Sequence, residues 1–558
     1  MKAFYVSLSA VLLAIGAEQG AARGQAEHVV VVVWDGMRPD FITPQYTPTL
    51  YELASKGTFF RNNHSAYVTS TEVNGTVLAT GMNPEHSGIM ANTGYRPDIS
   101  WLNSFGTESL DAIRRGDAMT HGHYLEAATV PEILQQAGIP TIVAGAKPIA
   151  LLHDRTPKKV TPVQKESVTL FRGLTIPRSV GENLAKAPDI GGFPTNAGGG
   201  GFGGRERPAG TNESPAAATE PPAEAQGGGG RRGGVGGGGA NTPDSWTTKA
   251  LTRGLWRKSV PKYSLLWLSE PDATQHASGV GSDAALAAIE SSDKNLAAVL
   301  KALEEKDALE TTDVIIVSDH GFSTVSHGPD VVELLKRGRF NAFRQFQNPE
   351  SGDVLVVSLG GSVSFFVFEH DEAVITRLAK YLQGMDFAGV IFSAIPVEGT
   401  FPLSQAHVGI TNGAPDILVS MRWSPEVNEN GVPGMVVSPD GRKGLGTHAS
   451  LSRFDLHNTL VASGPDFKKG FVSTTPSGNL DVAPTVLSIL GVTPPTPMDG
   501  RVLTEAMTSG DSTAPKAEEK TIEASRETGF LRWHQYLKTT AVGTTTYFEE
   551  GNGGLDLK

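Results

Sequence analysis

The stretch "VVVVVWDGMRPDF", which runs from Val29 to Phe41, decides the fold of this 558-residue chain. Five valines and a tryptophan without polar alternation are typical of a strand that is buried on both faces of a parallel sheet. The run ends directly on Asp35. A carboxylate at this place either caps the following turn or binds a ligand beyond the carboxyl end of the strand.

Predicted strands and helices alternate along most of the chain. The hydrophobic pattern predicts strands over 141–144, 264–268 and 314–317 and helices over 47–55, 71–80, 130–137, 282–305 and 480–491. Such alternation predicts an α/β fold with a mostly parallel central sheet flanked by helices on both faces. Residues 338–402, with a helix over 372–382, are expected to form a small α+β insertion.

The first 26 residues have the pattern of a secretory signal peptide. Lys2 precedes the apolar run Ala3 to Ile15, and small residues allow cleavage after Ala22 or Ala26. The run is too short for a comfortable membrane span, and no second run near twenty apolar residues follows. We expect a secreted or periplasmic protein with no membrane span after cleavage; an uncleaved anchor and a buried helix are the alternatives.

A glycine-rich segment interrupts the alternation over residues 191–241. It has little apolar surface to bury, so we expect it to be disordered, with a surface tether as the alternative. The segment divides the predicted core domain into 27–190 and 242–337, and residues 403–510 complete that domain after the insertion. Residues 511–558 are expected to be a C-terminal tail.

Charge and cysteine content narrow the classes of binding partner and of metal site. The formal net charge of −12 argues against binding to nucleic acid polymers and to anionic membrane surfaces. The chain has no cysteine, which excludes a cysteine nucleophile and thiolate metal sites. Any metal site must therefore use carboxylates, imidazoles and hydroxyls. Nothing in the sequence indicates the oligomeric state.

Acidic and histidine residues follow several predicted strands. In open α/β sheets, ligands bind beyond the carboxyl ends of the strands, so these side chains are expected to meet there. Each one alone has an ordinary alternative as a cap, a core residue or a surface residue. The set consists of Asp35, Asp272 and His276 in "SEPDATQH", Asp319 and His320 in "VSDHGF", and His448 in "GTHAS".

Three hydroxyl residues, Thr69, Ser70 and Thr71, precede the helix predicted over 71–80. A helix N-terminus presents free N–H groups and a positive dipole, which suits a phosphoryl group. A threonine there acts as a nucleophile if a metal lowers its pKa, and otherwise as a plain N-cap.

Together these motifs resemble the alkaline phosphatase superfamily and, within it, the type I phosphodiesterase/nucleotide pyrophosphatase family. The resemblance runs from the first strand to about residue 505, interrupted by the glycine-rich segment. Its remaining motifs are "TSTEVNGTVLATGMNPEHSGIMANT", "AGAKPIALLHDR" and "VASGPDFKKG…LDVAPTVLSILGV". The absence of a Cys/Ser-x-Pro-x-Arg motif at the nucleophile argues against a sulfatase.

The resemblance implies a two-zinc site that hydrolyses small phosphate esters through a phospho-threonine intermediate, with manganese or iron as alternative metals. Thr71 is the implied nucleophile, because its interval to Asn92 matches the family, and Asn92 would bind the phosphoryl oxygen. Thr69 and Ser70 remain alternative nucleophiles. One implied zinc is held by Asp272, His276 and His448, and the other by Asp35, Asp319, His320 and the Thr71 alkoxide.

Glu72 and Lys147 are further candidate substrate-binding residues. Familiar diesterases carry Thr-Phe-Pro-Asn-His at the nucleophile, whereas Glu72 replaces the phenylalanine that helps to stack a base. A neutral or cationic leaving group is the hypothesis that follows. Lys147 either contacts substrate or is structural. Phosphatase or phosphonate hydrolase activity on the same scaffold, and a catalytically silent surface-binding protein, are the alternative functions.

Overall fold

The computed structural model describes residues 24–155, 166–194, 242–409, 413–439, 441–510 and 514–557. Nearly all of the predicted signal peptide and most of the glycine-rich segment lie outside these residues. Among the described residues, no helix is long and apolar enough to cross a membrane.

A nine-stranded sheet forms the centre of the fold, with the predicted first strand, His28–Trp34, in its middle. This strand pairs in parallel with Thr312–Val317 on one side and with Tyr263–Leu268 on the other. Most neighbouring strands are parallel, as predicted. In spatial order the strands are Phe471–Ser473, Thr58–Phe60, Leu460–Ser463, Thr312–Val317, His28–Trp34, Tyr263–Leu268, Thr141–Gly145, Val168–Phe171 and Leu174–Ile176.

The valine run explains why both faces of this sheet are covered. Val29, Val31 and Val33 pack into one hydrophobic cluster, whereas Val30 and Val32 pack into another. Because successive side chains of a strand point to opposite faces, a continuous apolar run requires a core on each side.

Helices supply both of those cores. The helices Thr71–Thr80, Val130–Gln136 and Val482–Ile489 contribute to the cluster of Val29, and Pro48–Lys56, Pro243–Lys249 and Asp283–Glu304 to that of Val30. The α/β prediction with helices on both faces is confirmed. The other α-helices are Pro84–Ser87, Leu110–Met119, Ala150–His153, Arg178–Lys186, Asp272–Ser278, Val331–Arg337, Glu372–Leu382 and Arg453–Leu456.

The predicted α+β insertion contains a separate six-stranded sheet that packs against the helix Glu372–Leu382. This sheet continues to Met421, past the boundary predicted at residue 402, because its sixth strand in chain order, Ile417–Met421, pairs with Ala388–Ser393 after an intervening loop. Its strands are Ala342–Phe343, Val354–Ser358, Ser362–Val367, Ala388–Ser393, Phe401–Pro402 and Ile417–Met421.

Three short sheets also belong to the described part of the chain. One has four strands, Ser323–His327, Trp423–Val427, Pro433–Val437 and Gly446–Thr447. Two are pairs of two-residue strands: Asn63–His64 with Ser477–Gly478, and Thr93–Gly94 with Phe105–Gly106.

The predicted C-terminal tail folds as a three-stranded antiparallel sheet. Its strands are Ala517–Thr528, Leu531–Val542 and Thr545–Leu557. Trp533, Leu537 and Phe548 are buried against the insertion and the region around Tyr67. The C-terminal sheet is therefore an integral part of the fold.

Candidate active site

The carboxyl ends of three adjacent strands carry the predicted acidic residues. Asp35 follows His28–Trp34, Asp319 follows Thr312–Val317, and Asp272 lies just beyond Tyr263–Leu268. The turn after Asp35 requires glycine, because Gly36 has a φ of 71° and an added Cβ would lie 2.8 Å from the ring of Phe322. The N–H of Gly36 then donates to Asp319 Oδ1 at 2.9 Å.

Asp272, His276 and His448 form the first predicted ligand set. Nε2 of His276 lies 3.3 Å from Asp272 Oδ1, and Nε2 of His448 lies 3.6 Å from the same oxygen. Asp272 and His276 share one helical turn, whereas His448 comes from the loop after Gly446–Thr447. A tetrahedral metal with bonds of about 2.0–2.1 Å places its ligand atoms about 3.3–3.4 Å apart, so these separations suit a shared ion.

Backbone carbonyls orient the histidines of the site. A carbonyl only accepts hydrogen bonds, so each contacting Nδ1 is the protonated nitrogen of a neutral ring and Nε2 carries the lone pair. His276 donates to Gly446 O at 3.0 Å, His320 to Gly321 O at 2.9 Å and His448 to Thr69 O at 2.9 Å. Three nitrogen lone pairs thus face the carboxylates and are available to a metal ion.

The second predicted set is centred on Nε2 of His320. Its other members are Asp35, Asp319 and Thr71. This nitrogen lies 3.7 Å from Asp35 Oδ1, 3.4 Å from Asp319 Oδ2 and 3.3 Å from Thr71 Oγ1. Asp319 Oδ2 is buried and accepts no hydrogen bond, as expected of an oxygen that can bind a cation. Asp272 also lies close enough to join Asp35 and His320, so it stands between the two sets.

The site contains more negative charge than its lysine balances. Lys147 Nζ lies 2.7 Å from Asp35 Oδ2 and 2.9 Å from Asp272 Oδ2. Burial, followed by the charge of Asp319, raises the pKa of Asp35 well above its usual value, and burial raises that of Asp319 to about 7. Three buried carboxylates around one ammonium are a donor set that divalent cations would neutralise.

Thr71 is the hydroxyl residue that reaches the ligand sets. It is the first residue of the helix Thr71–Thr80, and its Oγ1 lies 3.4 Å from Asp35 Oδ1. The Thr69 hydroxyl instead donates to Ser450 O at 2.9 Å, and the buried Ser70 hydroxyl has no hydrogen-bond partner. Asn92 Oδ1 accepts the N–H of Glu72 at 3.0 Å, which places the asparagine beside Thr71.

Glu72, the second residue of the helix Thr71–Thr80, is buried. Its side-chain oxygen Oε2 is buried and accepts no hydrogen bond. Burial and then the charge of Glu108 raise the pKa of Glu72 well above its usual value. Glu108, which the sequence did not reveal, has an equally unpartnered buried Oε2. The two glutamates make this side of the site acidic.

Other supporting residues also escaped sequence analysis. Trp267 Nε1 donates to Asp35 Oδ2 at 3.0 Å, although the tryptophan lies within an apolar strand. Asn479 Nδ2 donates to Asp319 O at 2.7 Å from a residue 160 positions away. Asp455 accepts from the Ser450 N–H at 3.0 Å and so orders the loop that carries His448. Contacts of this kind leave no local pattern in the sequence.

A family model described as type I phosphodiesterase/nucleotide pyrophosphatase matches residues 29–167 and 237–427, which together exceed half of the chain. The chain belongs to this family. Type I phosphodiesterases and nucleotide pyrophosphatases are metal-dependent, and membership supports phosphodiester hydrolysis or pyrophosphate-bond hydrolysis. No curated protein sequence is similar enough to the chain to count as a match.

Solved structures support the same fold. Murine ectonucleotide pyrophosphatase/phosphodiesterase 5, including an inactive threonine-to-alanine variant in complex with AMP, is 16% identical, with a TM-score of 0.55. The human protein is 17% identical, with the same TM-score. Each comparison covers 86% of this chain and 100% of the solved chain. This member of the family thus keeps the overall fold at low sequence identity.

Proposed function

We propose that this protein hydrolyses small phosphodiesters or pyrophosphates by double displacement, with Thr71 as the nucleophile. The observation that carries the proposal is the position of the Thr71 hydroxyl. It lies at a helix N-terminus, 3.4 Å from Asp35 Oδ1 and 3.3 Å from His320 Nε2. A helix N-terminus favours the phosphoryl anion that Thr71 would attack.

Two divalent ions fit the residues present. Asp272, His276 and His448 would hold one ion; Asp35, Asp319 and His320, together with Thr71 in its ionised form, would hold the other. Nitrogen and carboxylate donors at these separations suit zinc, while manganese and iron accept the same donors. When bound, such ions lower the pKa of the nucleophile and neutralise charge on the entering and leaving oxygens.

The chain's own residues account for both displacements. Thr71 Oγ forms a bond to phosphorus while the bond from phosphorus to the leaving-group oxygen breaks. The hydroxyl proton passes through solvent to the leaving oxygen, which departs as an alcohol or a phosphate. Water then attacks the phospho-threonine, which restores the Thr71 hydroxyl and releases the second product. Asn92 would donate its amide to a non-bridging oxygen, because its carbonyl already accepts from the Glu72 N–H.

Lys147 and Glu72 are the proposed substrate-binding residues beyond Asn92. The Lys147 ammonium, between Asp35 and Asp272, would contribute positive charge next to the phosphoryl group. Glu72 offers an unpartnered oxygen that a neutral donor or a cationic leaving group would satisfy. Phosphatase and phosphonate hydrolase activities remain the alternatives on this scaffold, since they differ only in the groups attached to phosphorus.

We also propose export to the periplasm or the medium. The support is the signal pattern of residues 1–26 and a pocket of oxygen and nitrogen donors that needs no thiol. N-terminal sequencing of the protein recovered from the culture is expected to start after Ala22 or Ala26. A chain that is found inside the cell and starts at Met1 would contradict export.

The proposed activity is tested with bis-p-nitrophenyl phosphate, p-nitrophenyl phosphate and p-nitrophenyl phenylphosphonate. We expect zinc-dependent turnover, fastest for the diester, that falls at least about a thousandfold in Thr71→Ala. The ion at Asp272, His276 and His448 should be retained in that variant, and only the ion to which Thr71 contributes should bind more weakly. Ser70→Ala is the matched control, because its hydroxyl has no partner, and it should retain activity.

The outcomes separate the alternatives. If the monoester is hydrolysed fastest, the protein is a phosphatase; if the phosphonate is hydrolysed fastest, it is a phosphonate hydrolase. Equal rates for Thr71→Ala and the wild-type enzyme would exclude Thr71 as the nucleophile. Absence of both turnover and bound metal would favour the surface-binding protein.

A further inference from the structure

A second cluster of metal-binding side chains lies outside the proposed active site. It consists of His64, His457 and Glu549, whose ligand atoms all lie within 4.8 Å of one another. His64 belongs to the short strand Asn63–His64, His457 follows the helix Arg453–Leu456, and Glu549 lies in the last strand of the C-terminal sheet. Three elements remote in sequence therefore converge here.

The atoms of this cluster are spaced like those of the active-site ligand sets. Nε2 of His64 and Nε2 of His457 each lie 3.3 Å from the same oxygen, Glu549 Oε2. That distance equals the separation of His276 from Asp272 and matches the edge of a tetrahedron around a metal with bonds of about 2.0–2.1 Å.

His64 is prepared to act as a ligand. Its Nδ1 donates to Ser477 O at 2.8 Å, so a neutral ring carries its lone pair on Nε2. The His64 side chain is only 1% exposed, yet Nε2 makes no well-aligned hydrogen bond. A buried nitrogen lone pair that points at a carboxylate oxygen faces another acceptor, and a cation between them resolves that conflict.

The carboxylate of Glu549 is held so that Oε2 faces the two histidines. Its second oxygen, Oε1, accepts the Thr540 hydroxyl at 2.6 Å from the neighbouring strand. A hydrogen bond to the outer oxygen and a carbonyl behind the histidine are the supports that fix ligands at metal centres. The ring of Tyr547 stacks on His64, with centroids 5.5 Å apart, and closes one side.

We propose that His64, His457 and Glu549 bind a divalent transition-metal ion, zinc by preference, that clamps the C-terminal sheet to the active-site domain. Two histidines and one carboxylate are a zinc donor set. The clamp is close in sequence to the proposed active site. His64 precedes Thr71 by seven positions, and His457 follows the proposed ligand His448 by nine. The clamp stabilises the fold and takes no part in the reaction.

Zinc content by mass spectrometry, measured per chain on the full-length protein, tests the clamp. Glu549→Gln and His457→Gln should each contain one zinc fewer than the wild-type protein, and zinc should raise their melting temperatures less. Glu550→Gln is the matched control, because this neighbour in the same strand contacts Arg453 and Tyr536 instead and should keep the wild-type count. The difference is independent of how many ions the active site holds.

Crystals of the zinc-loaded wild-type protein provide a measurement that needs no variant. An anomalous peak at the zinc edge between the two imidazoles and Glu549 is expected. Equal zinc content in all four proteins, or no anomalous peak at this position, would overturn the proposal and leave an ion pair between protonated histidine and Glu549.

Discussion

Glu72 sets this chain apart from familiar diesterases at the residue scale. The family phenylalanine next to the nucleophile stacks on a base, whereas Glu72 places a carboxyl group, backed by Glu108, in the same part of the sequence. Both side chains have a buried oxygen without a hydrogen-bond partner. This composition favours a leaving group that donates hydrogen bonds or carries positive charge.

We therefore expect Glu72→Phe to increase the rate with a nucleotide p-nitrophenyl diester relative to bis-p-nitrophenyl phosphate. Base stacking contributes about 1–3 kcal/mol, so a gain of roughly tenfold in the ratio of kcat/KM is the expected size. Glu72→Gln is the control that removes the charge without adding an aromatic ring. No gain with phenylalanine would count against Glu72 as a specificity residue.

The elements that carry the candidate site residues were predictable, because each of them follows a strong local pattern. Asp35 ends a strand that is unmistakably apolar, and the helix over 71–80 begins and ends at the predicted residues. Trp267, Glu108 and Asn479 were missed for the opposite reason. Their roles depend on which distant residue they meet, and an apolar strand gives no sign that its tryptophan N–H donates to a carboxylate.

At the scale of elements, the C-terminal sheet was missed because its first strand is largely polar. The sequence "AEEKTIEASRET" in Ala517–Thr528 has few apolar residues, and most of its side chains are exposed or half-buried. In Leu531–Val542, alternation does bury Trp533 and Leu537, which was the available signal. The extension of the insertion sheet to Met421 was equally hidden, since strand pairing across a loop leaves no local pattern.

The strand Thr312–Val317 contains a titrating contact that is separate from the active site. Burial raises the pKa of Asp313 to about 8, and Oδ1 accepts the N–H of Asp466 at 3.1 Å. The folded protein therefore keeps a proton that the unfolded chain releases near its ordinary value of 3.8. The free energy of unfolding should fall as pH rises from 3.8 to about 8, by at most about 1.4 kcal/mol per pH unit.

Asp313→Asn should remove that loss of stability. Asparagine keeps an oxygen acceptor and, like the protonated acid, offers a donor to the Asp466 carboxylate. Urea unfolding at pH 5 and pH 8.5 should show a smaller decrease for the variant than for the wild-type protein. Asp307→Asn, an exposed substitution before the same strand, is the control; identical pH slopes in all three proteins would contradict the assignment.

At the scale of the whole molecule, the fold gathers residues from four distant parts of the chain at one edge of the central sheet. Asp35, Asp272 and Asp319 come from adjacent parallel strands, and His448 comes from a late loop. Parallel strands end at a common edge, so their order along the chain does not matter for the chemistry. This geometry was predictable as a location, but the individual separations were not.

Stereochemistry at phosphorus tests the double displacement by Thr71 most directly. A single stereoisomer of an aryl phosphorothioate diester is hydrolysed in water enriched in ¹⁸O, and the configuration of the product is read by phosphorus NMR. Two in-line displacements, first by Thr71 and then by water, each invert phosphorus, so net retention is the predicted result. Net inversion would mean that water attacks the substrate directly and would contradict a phospho-threonine intermediate.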